Sequence, residues 1–241
     1  MDLDRTYDFP EGEVLLIDKP ASWTSFDVVN KIRLMMKQYL GIKKIKVGHA
    51  GTLDPLATGL LLVCVGKATK RINEYTGLNK EYTGSFHIGA TTPSYDAETE
   101  VEQEYDTSHI TEDLIRKTTV NFLGRIEQTP PAYSAIKVDG TRAYIKAREN
   151  EKITIPAREV EIYEFEISEA GIPDTSFRVL CSKGTYVRSL AYDFGKTLKS
   201  GAYIKSLRRT KIGAYSVEDA ISLTQLEAWL AELRDRQAPV Q

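Results

Sequence analysis

The 241-residue sequence is poor in the residues that form disulfides and metal sites. It contains two cysteines and three histidines. Cys64 and Cys181 each lie inside an apolar stretch, a context that is typical of buried thiols rather than of a disulfide. The histidines lie far apart and show no metal-ligand spacing with the cysteines. We therefore expect two buried free thiols and no metal ion.

Long apolar runs are also missing from the sequence. No stretch approaches the roughly 20 apolar residues that a transmembrane helix needs. The chain begins with Asp2 and Asp4, whereas a signal peptide begins with basic residues. Hydrophobic residues make up 41% of the chain and charged residues 27%, which is ordinary for a soluble globular protein. These features predict a cytoplasmic protein with no membrane partner.

Positive charge is not in excess, because the formal net charge is -2. A nucleic-acid partner must therefore be recognised from local clusters. Two basic runs are present, at 31–46 and 183–211, and acidic residues collect elsewhere, around 96–113. The runs comprise Lys31, Arg33, Lys37, Lys43, Lys44 and Lys46, and then Lys183, Arg188, Lys196, Lys199, Lys205, Arg208, Arg209 and Lys211, opposed only by Asp193. Such runs are often solvated helix faces, but phosphate binding also needs clustered cations.

Hydrophobic periodicity predicts alternating strands and helices without a βαβ rhythm. A capping box of Thr24 and Asp27 begins a helix that ends near Leu40. Thr111 begins a second helix, which we expect to end at Leu123. Strands are predicted at 14–17, 60–65, 82–88, 133–138, 160–167 and 177–181, a turn at 139–140, further helices at 143–148, 185–198 and 223–233, and a loop without regular structure at 48–59. The pattern favours an α+β fold with a mixed, mostly antiparallel sheet flanked by helices.

Asp54 lies in the glycine-punctuated loop. An aspartate before a proline in such a loop is typical of a turn, since its side chain accepts local backbone hydrogen bonds. The segment lacks the Gly-Lys-Ser/Thr ending of a P-loop. Composition and spacing alone therefore leave Asp54 as a turn residue or as a reactive carboxylate.

The complete string GHAGTLDPLATGLL, at 48–61, resembles the signature loop of the TruB family of pseudouridine synthases almost letter for letter. Further segments match in the family's order. They are DKP at 18–20 with WTS at 23–25, QTPPAYSAIK at 128–137, and CSKGTYVR at 181–188 with LRR at 207–209. One position departs, because Ser22 stands where the family usually has glycine. The resemblance extends from about Val14 to Gly213.

The resemblance implies a pseudouridine synthase fold with a thumb-like RNA-binding insertion. We expect a single catalytic domain over 1–241, with the thumb-like segment at about 128–150 and a short helical tail at 214–241. Many TruB proteins continue into a C-terminal PUA domain. About 28 residues follow Gly213, which is too short for a second domain, so no PUA domain is expected.

The resemblance also implies catalytic roles for Asp54, Arg188 and Tyr82. The reaction breaks the bond from N1 to C1′ and joins C5 to C1′, with Asp54 as the nucleophile at C1′ or as a base on the sugar. Arg188 would pair with Asp54 and hold it ionised. Tyr82, in the match to the family tyrosine, would stack on the flipped uracil and take part in the proton transfer. On the residues alone, Arg188 is equally a phosphate-binding arginine and Tyr82 a core residue.

Five further residues are expected around the substrate. His49 would help to occupy the space that the flipped base leaves. Tyr186 and Leu207 would form the pocket wall, with core packing as the alternative for Leu207. Lys19 and Pro20 would shape or brace the site. The chemistry requires no redox or electron-sink cofactor.

The substrate implied by the resemblance is the uridine at position 55 in the T loop of tRNA. The expected partner is the T arm of tRNA, with no obligate protein partner and a monomeric enzyme. Two alternatives remain, namely a guide-RNA-dependent synthase subunit and a noncatalytic RNA-binding or tRNA-folding factor. A glycosidase would need two carboxylates around one sugar, and no second acid accompanies Asp54 in its loop.

Overall fold

A computed structural model of the chain describes residues 5–138, 140–149, 151 and 153–237. These residues form two compact units. The first contains the described residues up to Leu78 and those from Arg208 onward, and the second is Asn79–Leu207. The strands are β1 (Glu13–Lys19), β2 (Val47–His49), β3 (Thr58–Val65), β4 (Lys80–Ile88), β5 (Ala90–Thr91), β6 (Gln103–Glu104), β7 (Gly124–Gln128), β8 (Lys137–Val138), β9 (Thr141–Arg142), β10 (Arg158–Glu169), β11 (Asp174–Cys181), β12 (Ala202–Ile212) and β13 (Tyr215–Ser216). The α-helices are α1 (Ser25–Leu40), α2 (Ile72–Thr76), α3 (Glu112–Thr118), α4 (Ala143–Arg148), α5 (Val187–Thr197) and α6 (Leu223–Gln237).

The first unit is organised around β3. β1 runs antiparallel to β3 along its whole length, β2 pairs with its last residues, and the end of β12 runs parallel to its first two. Residues of β3 that point to opposite faces belong to two separate hydrophobic clusters, and one of these clusters includes α1 and α6. Burial on both faces explains why β3 reads as a continuous apolar run rather than as an alternating one.

The second unit contains the sheet order β12, β4, β11, β10 and β7. The pairings of β4 with β11, β11 with β10, and β10 with β7 are antiparallel. Five phenylalanines form its aromatic core, and Phe86 stacks on Phe177 with ring centroids 4.1 Å apart. Phe194 of α5 contacts Phe86 at 5.4 Å and Phe165 at 5.6 Å. This contact places α5, which carries Arg188, against the sheet.

Most predicted elements are confirmed. The capping box of Thr24 and Asp27 is present with both reciprocal hydrogen bonds, and α1 ends at Leu40. Cys64 and Cys181 are buried free thiols, as predicted. Strands β1, β3, β4, β10 and β11 and helices α4, α5 and α6 contain the predicted segments or nearly coincide with them. No helix among the described residues is long and apolar enough to cross a membrane.

Three predictions need correction. The loop at 48–59 begins as a strand, because Val47–His49 pairs with β3. Residues 133–138 form strand only at Lys137–Val138, and Asp139 of the predicted turn lies outside the described residues. The helix that Thr111 caps ends at Thr118 rather than Leu123 and continues as a 3₁₀ turn, Thr119–Phe122. The Thr118 and Thr119 hydroxyls donate to backbone carbonyls of the preceding turn, competition that disfavours a regular helix.

Candidate active site

Asp54 lies in the loop between β2 and β3 and is half-buried. The backbone around it is anchored on both sides. Before it, the Ala50 amide donates to the Leu62 carbonyl at 2.9 Å, and after it the Ala57 amide donates to the Asp54 carbonyl at 3.1 Å. Asp54 therefore does occupy a turn, as its residue context suggested. Its carboxylate is held on a fixed backbone.

Ser25 clamps the residue that precedes Asp54. The Leu53 amide donates to Ser25 Oγ at 2.8 Å, and Ser25 Oγ lies 3.1 Å from the Leu53 carbonyl, to which it donates. Ser25 is buried and is the first residue of α1, directly after the Thr24 cap. The WTS segment thus has two functions. It begins α1, and it fixes the backbone at Leu53.

Lys19 braces the other side of the loop. Its side chain is completely buried at the end of β1, and Nζ donates to the carbonyls of Pro20 at 2.8 Å, Trp23 at 2.6 Å and Pro55 at 3.4 Å. A buried ammonium needs such acceptors, because an uncompensated buried charge is strongly unfavourable. Lys19 therefore connects the DKP segment to the residue that follows Asp54. These contacts brace the loop itself, while a role for Lys19 or Pro20 at the substrate stays a prediction.

Ser22 adopts a left-handed backbone conformation, with φ at 66°, and its amide donates to the Pro55 carbonyl at 2.8 Å. A side chain in this region is disfavoured by contact with its own backbone. This conformation accounts for the glycine that the family usually has here.

We expect Ser22→Gly to raise the free energy of unfolding by roughly 0.5–1 kcal/mol, since it removes that strain at an exposed position. Urea denaturation measures the change, and Ser22→Ala is the matched control because it keeps Cβ. Equal stability of the glycine and alanine variants would contradict the explanation.

Arg209 has a buried guanidinium that contacts the loop containing Asp54. Its side chain lies on β12, and Nε donates to the Leu60 carbonyl at 2.8 Å, Nη2 to Gly51 at 3.1 Å and Nη1 to Thr52 at 3.5 Å. Arg209 belongs to the second basic run, for which phosphate binding was one of the two interpretations. Its burial and its three carbonyl partners correct this, because the cation stabilises the loop instead.

The close pairing of β12 with β3 depends on Gly59. Arg209 is the register partner of Gly59, whose φ is 101°. A Cβ at Gly59 would lie 2.3 Å from the Arg209 backbone oxygen. Glycine therefore allows the two backbones to approach, and this approach brings the Arg209 side chain to the loop.

His49 ends β2, just before the loop. Burial is the largest cause that lowers its pKa, and the charge of Arg209 lowers it further, while the Gly51 backbone acts in the opposite direction. Within the described part of the chain, the buried Nδ1 has no hydrogen-bond partner. The imidazole is therefore held in its neutral form near pH 7.

A lowered histidine pKa makes stability depend on pH. The unfolded chain binds the proton with an ordinary pKa of 6.5, so protonation favours unfolding as the pH falls through that value. The stability that neutral His49 contributes to the folded state is fully present above the unfolded pKa. It is lost as the pH falls below that value.

We expect the free energy of unfolding to fall more steeply between about pH 7.5 and pH 5 in the wild type than in His49→Gln. Urea denaturation at each pH tests this. His109→Gln, at an exposed histidine of the second unit, is the control. Parallel pH curves for wild type and His49→Gln would refute the assignment.

Arg188 is buried in the first turn of α5. Nη1 donates to the Ser94 carbonyl at 3.0 Å and Nη2 to the Tyr133 carbonyl at 2.9 Å, and Nε lies 3.5 Å from Asp96 Oδ2. Ser94 Oγ and the Glu98 amide both donate to Asp96 Oδ1. Arg188 thus joins three segments of the second unit. Because Arg188 is buried, like Arg209, it does not contribute to a basic surface. Its pairing with Asp54 stays a prediction.

Asp96 was missed by sequence reasoning, which placed it in the acidic stretch away from the site. Its side chain is buried, with a relative exposure of 1%. Tyr95, beside it, has a left-handed φ of 62° and stacks on Tyr192 at 4.2 Å. Neither charge pattern nor periodicity predicts that Asp96 is buried. Its burial depends on the charge of Arg188, which is more than ninety positions away in the sequence.

Two family-like segments of the second unit meet at the start of α5. The Tyr186 amide donates to Gln128 Oε1 at 2.7 Å, and Ser189 Oγ donates to the Thr129 carbonyl at 2.7 Å. The Arg158 guanidinium lies over the Tyr186 ring, 4.6 Å from its centroid. The base of the predicted thumb is therefore attached to the segment that carries Tyr186 and Arg188.

The remaining predicted residues of the second unit are Tyr82 on β4 and Leu207 on β12. Both are buried, with relative exposures of 9% and 8%. This burial is also what core packing produces, so their roles stay predictions. Asp54, His49, Lys19 and Pro20 belong to the first unit.

Solved structures with this fold were found by comparison. A chain in the crystal structure of a Cbf5-Nop10-Gar1 complex matches with a TM-score of 0.69 and 31% identity, over 91% of this chain and 54% of that chain. A chain in a structure of an H/ACA RNP bound to a substrate RNA containing 2′-deoxyuridine matches with a TM-score of 0.69 and 27% identity, over 95% and 57%. This chain spans little more than half of either. The matches confirm the α+β pseudouridine synthase fold.

Curated relatives match over nearly their full length. One from Flavobacterium johnsoniae, named tRNA pseudouridine synthase B, is 58% identical over 221 residues, 91% of this chain and 96% of the relative. One of the same name from Phocaeicola vulgatus is 53% identical over 222 residues, 92% of this chain and 94% of the relative.

Two family profiles match consecutive parts of the sequence. The profile described as TruB family pseudouridylate synthase (N terminal domain) matches residues 37–187. The profile described as tRNA pseudouridylate synthase B C-terminal domain matches residues 188–240. With the signature loop, its bracing residues and the close relatives in agreement, the chain belongs to the TruB family of pseudouridylate synthases.

Proposed function

We propose that this protein isomerises uridine to pseudouridine at position 55 in the T loop of tRNA, acting as an intramolecular transferase. The observation that carries the proposal is the half-buried carboxylate of Asp54 on a loop whose backbone is fixed at Leu53 by Ser25, at Pro55 by Lys19, and at Gly51 and Thr52 by Arg209. A reacting group needs to be held in this way by surrounding residues, because small displacements reduce catalysis. The relatives named tRNA pseudouridine synthase B support the substrate.

The reaction is balanced without a cofactor. The bond from N1 to C1′ breaks, the uracil turns over, and a bond from C5 to C1′ forms. C5 loses its proton and N1 gains one, so product and substrate are isomers. Asp54 acts either by attacking C1′ or by removing a sugar proton, and both routes require the ionised carboxylate.

Arg188 and Tyr82 complete the proposed catalytic set. Arg188 is a permanent cation that would pair with Asp54 and stabilise its ionised form. Its own orientation is fixed by Ser94, Tyr133 and Asp96. Tyr82 would stack on the flipped uracil and take part in the transfer of the C5 proton.

The substrate base must leave the RNA stack before it reacts, at a cost of a few kcal/mol. Tyr186 and Leu207 are proposed to line the pocket that receives the base, where aromatic and apolar surface offsets that cost. His49 is proposed to occupy the space that the base vacates. A neutral imidazole suits this role, because inserting it between bases requires no desolvation of a charge.

The experiment that tests this function uses the purified chain, unmodified tRNA transcript and no other RNA or protein. We expect pseudouridine at position 55 alone, mapped by chemical modification and primer extension. Product that appears only after a guide RNA is added would identify a guide-dependent synthase subunit instead. Tight tRNA binding without any product would identify a noncatalytic RNA-binding factor. Product formed by the single purified chain would also support an enzyme without an obligate protein partner.

A further inference from the structure

A pocket lined by four lysines lies in the first unit, outside the residues assigned to the reaction. It has a volume of about 250 Å³ and its cationic lining is Lys44, Lys46, Lys67 and Lys70. All four side chains belong to exposed residues. The concentration of positive charge is local, since acidic residues outnumber basic ones in the whole chain, at 34 against 32.

The backbone holds the two lysine-bearing segments side by side. The Gly66 amide donates to the Lys46 carbonyl at 2.8 Å, and the Lys67 amide donates to the Pro10 carbonyl at 3.1 Å. Gly66 has a φ of 61°, and a Cβ there would lie 2.0 Å from the Phe9 carbonyl oxygen. The segments therefore meet through backbone contacts that do not depend on the lysine side chains.

Charge within the pocket is only partly compensated. Lys67 pairs with Glu11, with Nζ 2.5 Å from Oε1. Lys44, Lys46 and Lys70 form no ion pair within the described ranges of the chain. Like charges at close range repel each other, and an anion in the pocket relieves that repulsion. The pocket is thus built for a negatively charged ligand.

We propose that the lysine pocket binds backbone phosphates of the tRNA outside the T loop. This inference rests on the proposed function. Ammonium groups suit the purpose, because they act as point charges on phosphate oxygens and read no sequence. No aromatic side chain lies among the residues that line the pocket, so it offers phosphate contact rather than base stacking.

The position of the pocket supports a contact with a helical arm. Asp54 lies in the loop four residues before the first residue of β3, and Gly66 directly follows its last. Eight residues of strand, at roughly 3.3 Å each, separate the two ends by about 23 Å. The strand, with the anchored loop before it, would thus set the distance between the reacting nucleotide and a phosphate in the stem that continues from it.

The test is a variant that carries Lys44→Ser, Lys46→Ser and Lys70→Ser, and that leaves Glu11 paired with Lys67. A matched control removes three exposed cations elsewhere, through Lys117→Ser, Arg234→Ser and Arg236→Ser. A third variant replaces the three pocket lysines by arginine. Dissociation constants for unmodified tRNA transcript are measured across a salt series, and pseudouridine formation is measured on a T-loop hairpin too short to reach the pocket. Thermal melting checks that each variant is folded.

We expect the serine variant to bind tRNA at least tenfold more weakly at low salt, with the slope of log Kd against log salt reduced by about 2 to 3. The control and the arginine variant should bind like the wild type, and all should convert the hairpin at the same rate. A serine variant that binds tRNA like the control would overturn the proposal and favour an acidic protein as the ligand. An equal loss on tRNA and on the hairpin would also overturn it. Failure of the wild type to form pseudouridine would refute the proposed function, while the tRNA-binding comparison would still decide the pocket.

Discussion

Asp54→Asn is expected to abolish pseudouridine formation, with the rate at least about a thousandfold below that of the wild type, while tRNA affinity stays within about twofold. The amide has the size and shape of the carboxylate but cannot attack C1′ or accept a proton from the sugar. The loop should persist, because Ser25, Lys19 and Arg209 hold it through backbone atoms of Leu53, Pro55 and Gly51, which the substitution leaves unchanged.

Single-turnover reactions on a T-arm minihelix measure the rate, and filter binding measures the affinity. Asp113→Asn is the matched control, since it removes one carboxylate from an exposed helix position where it pairs with Lys117. Product from Asp54→Asn at the wild-type rate would exclude an essential carboxylate at this position. Loss of tRNA binding together with loss of product would indicate that Asp54 acts in binding rather than in the chemistry.

Local sequence rules predicted much of the first unit. The capping box of Thr24 and Asp27 specifies the start of α1 through hydrogen bonds within four residues, so a short window contains all the information. β3 is readable because burial on both faces requires an uninterrupted apolar run. Asp54 became a candidate through the resemblance of its loop, since its residue type in a turn is common.

β12 escaped prediction for a physical reason. Its segment, AYIKSLRRTKI, includes five basic or hydroxyl-bearing residues in its last seven positions, and this composition suggested a basic surface. One of its most deeply buried side chains is Arg209, which breaks the hydrophobic alternation that identifies a strand. The carbonyls that make this burial possible come from 51, 52 and 60, about 150 residues earlier. Only the fold brings them together.

Buried cations follow a common pattern in both units. Lys19 and Arg188, like Arg209, donate to backbone carbonyls of segments distant from their own strand or helix. An interior ammonium or guanidinium needs several acceptors, and irregular loops supply carbonyls that no sheet or helix has used. These side chains thus organise the very loops that the sequence alone could describe only as irregular.

Arg209→Met is expected to lower the free energy of unfolding by about 3–5 kcal/mol. Methionine fills much of the same volume but donates no hydrogen bond, so the carbonyls of Leu60, Gly51 and Thr52 lose a buried partner. We also expect pseudouridine formation to fall at temperatures where the variant remains folded. The reason is that no side chain at 209 then donates to the Gly51 and Thr52 carbonyls, which precede Asp54.

The adjacent residue provides the matched control, since Arg208 lies on the same strand but is half-exposed and forms a bidentate ion pair with Asp18. A half-exposed ion pair contributes less than a buried cation even when it is bidentate, so Arg208→Met should cost only about 1 kcal/mol. Urea denaturation of both variants gives the comparison, and Arg209→Lys extends it, because an ammonium restores the charge but not the planar fork that reaches three carbonyls. If Arg209→Met and Arg208→Met lost equal stability, the loop would not depend on the buried guanidinium. If Arg209→Lys matched the wild type, charge alone would be sufficient to hold the loop that carries Asp54.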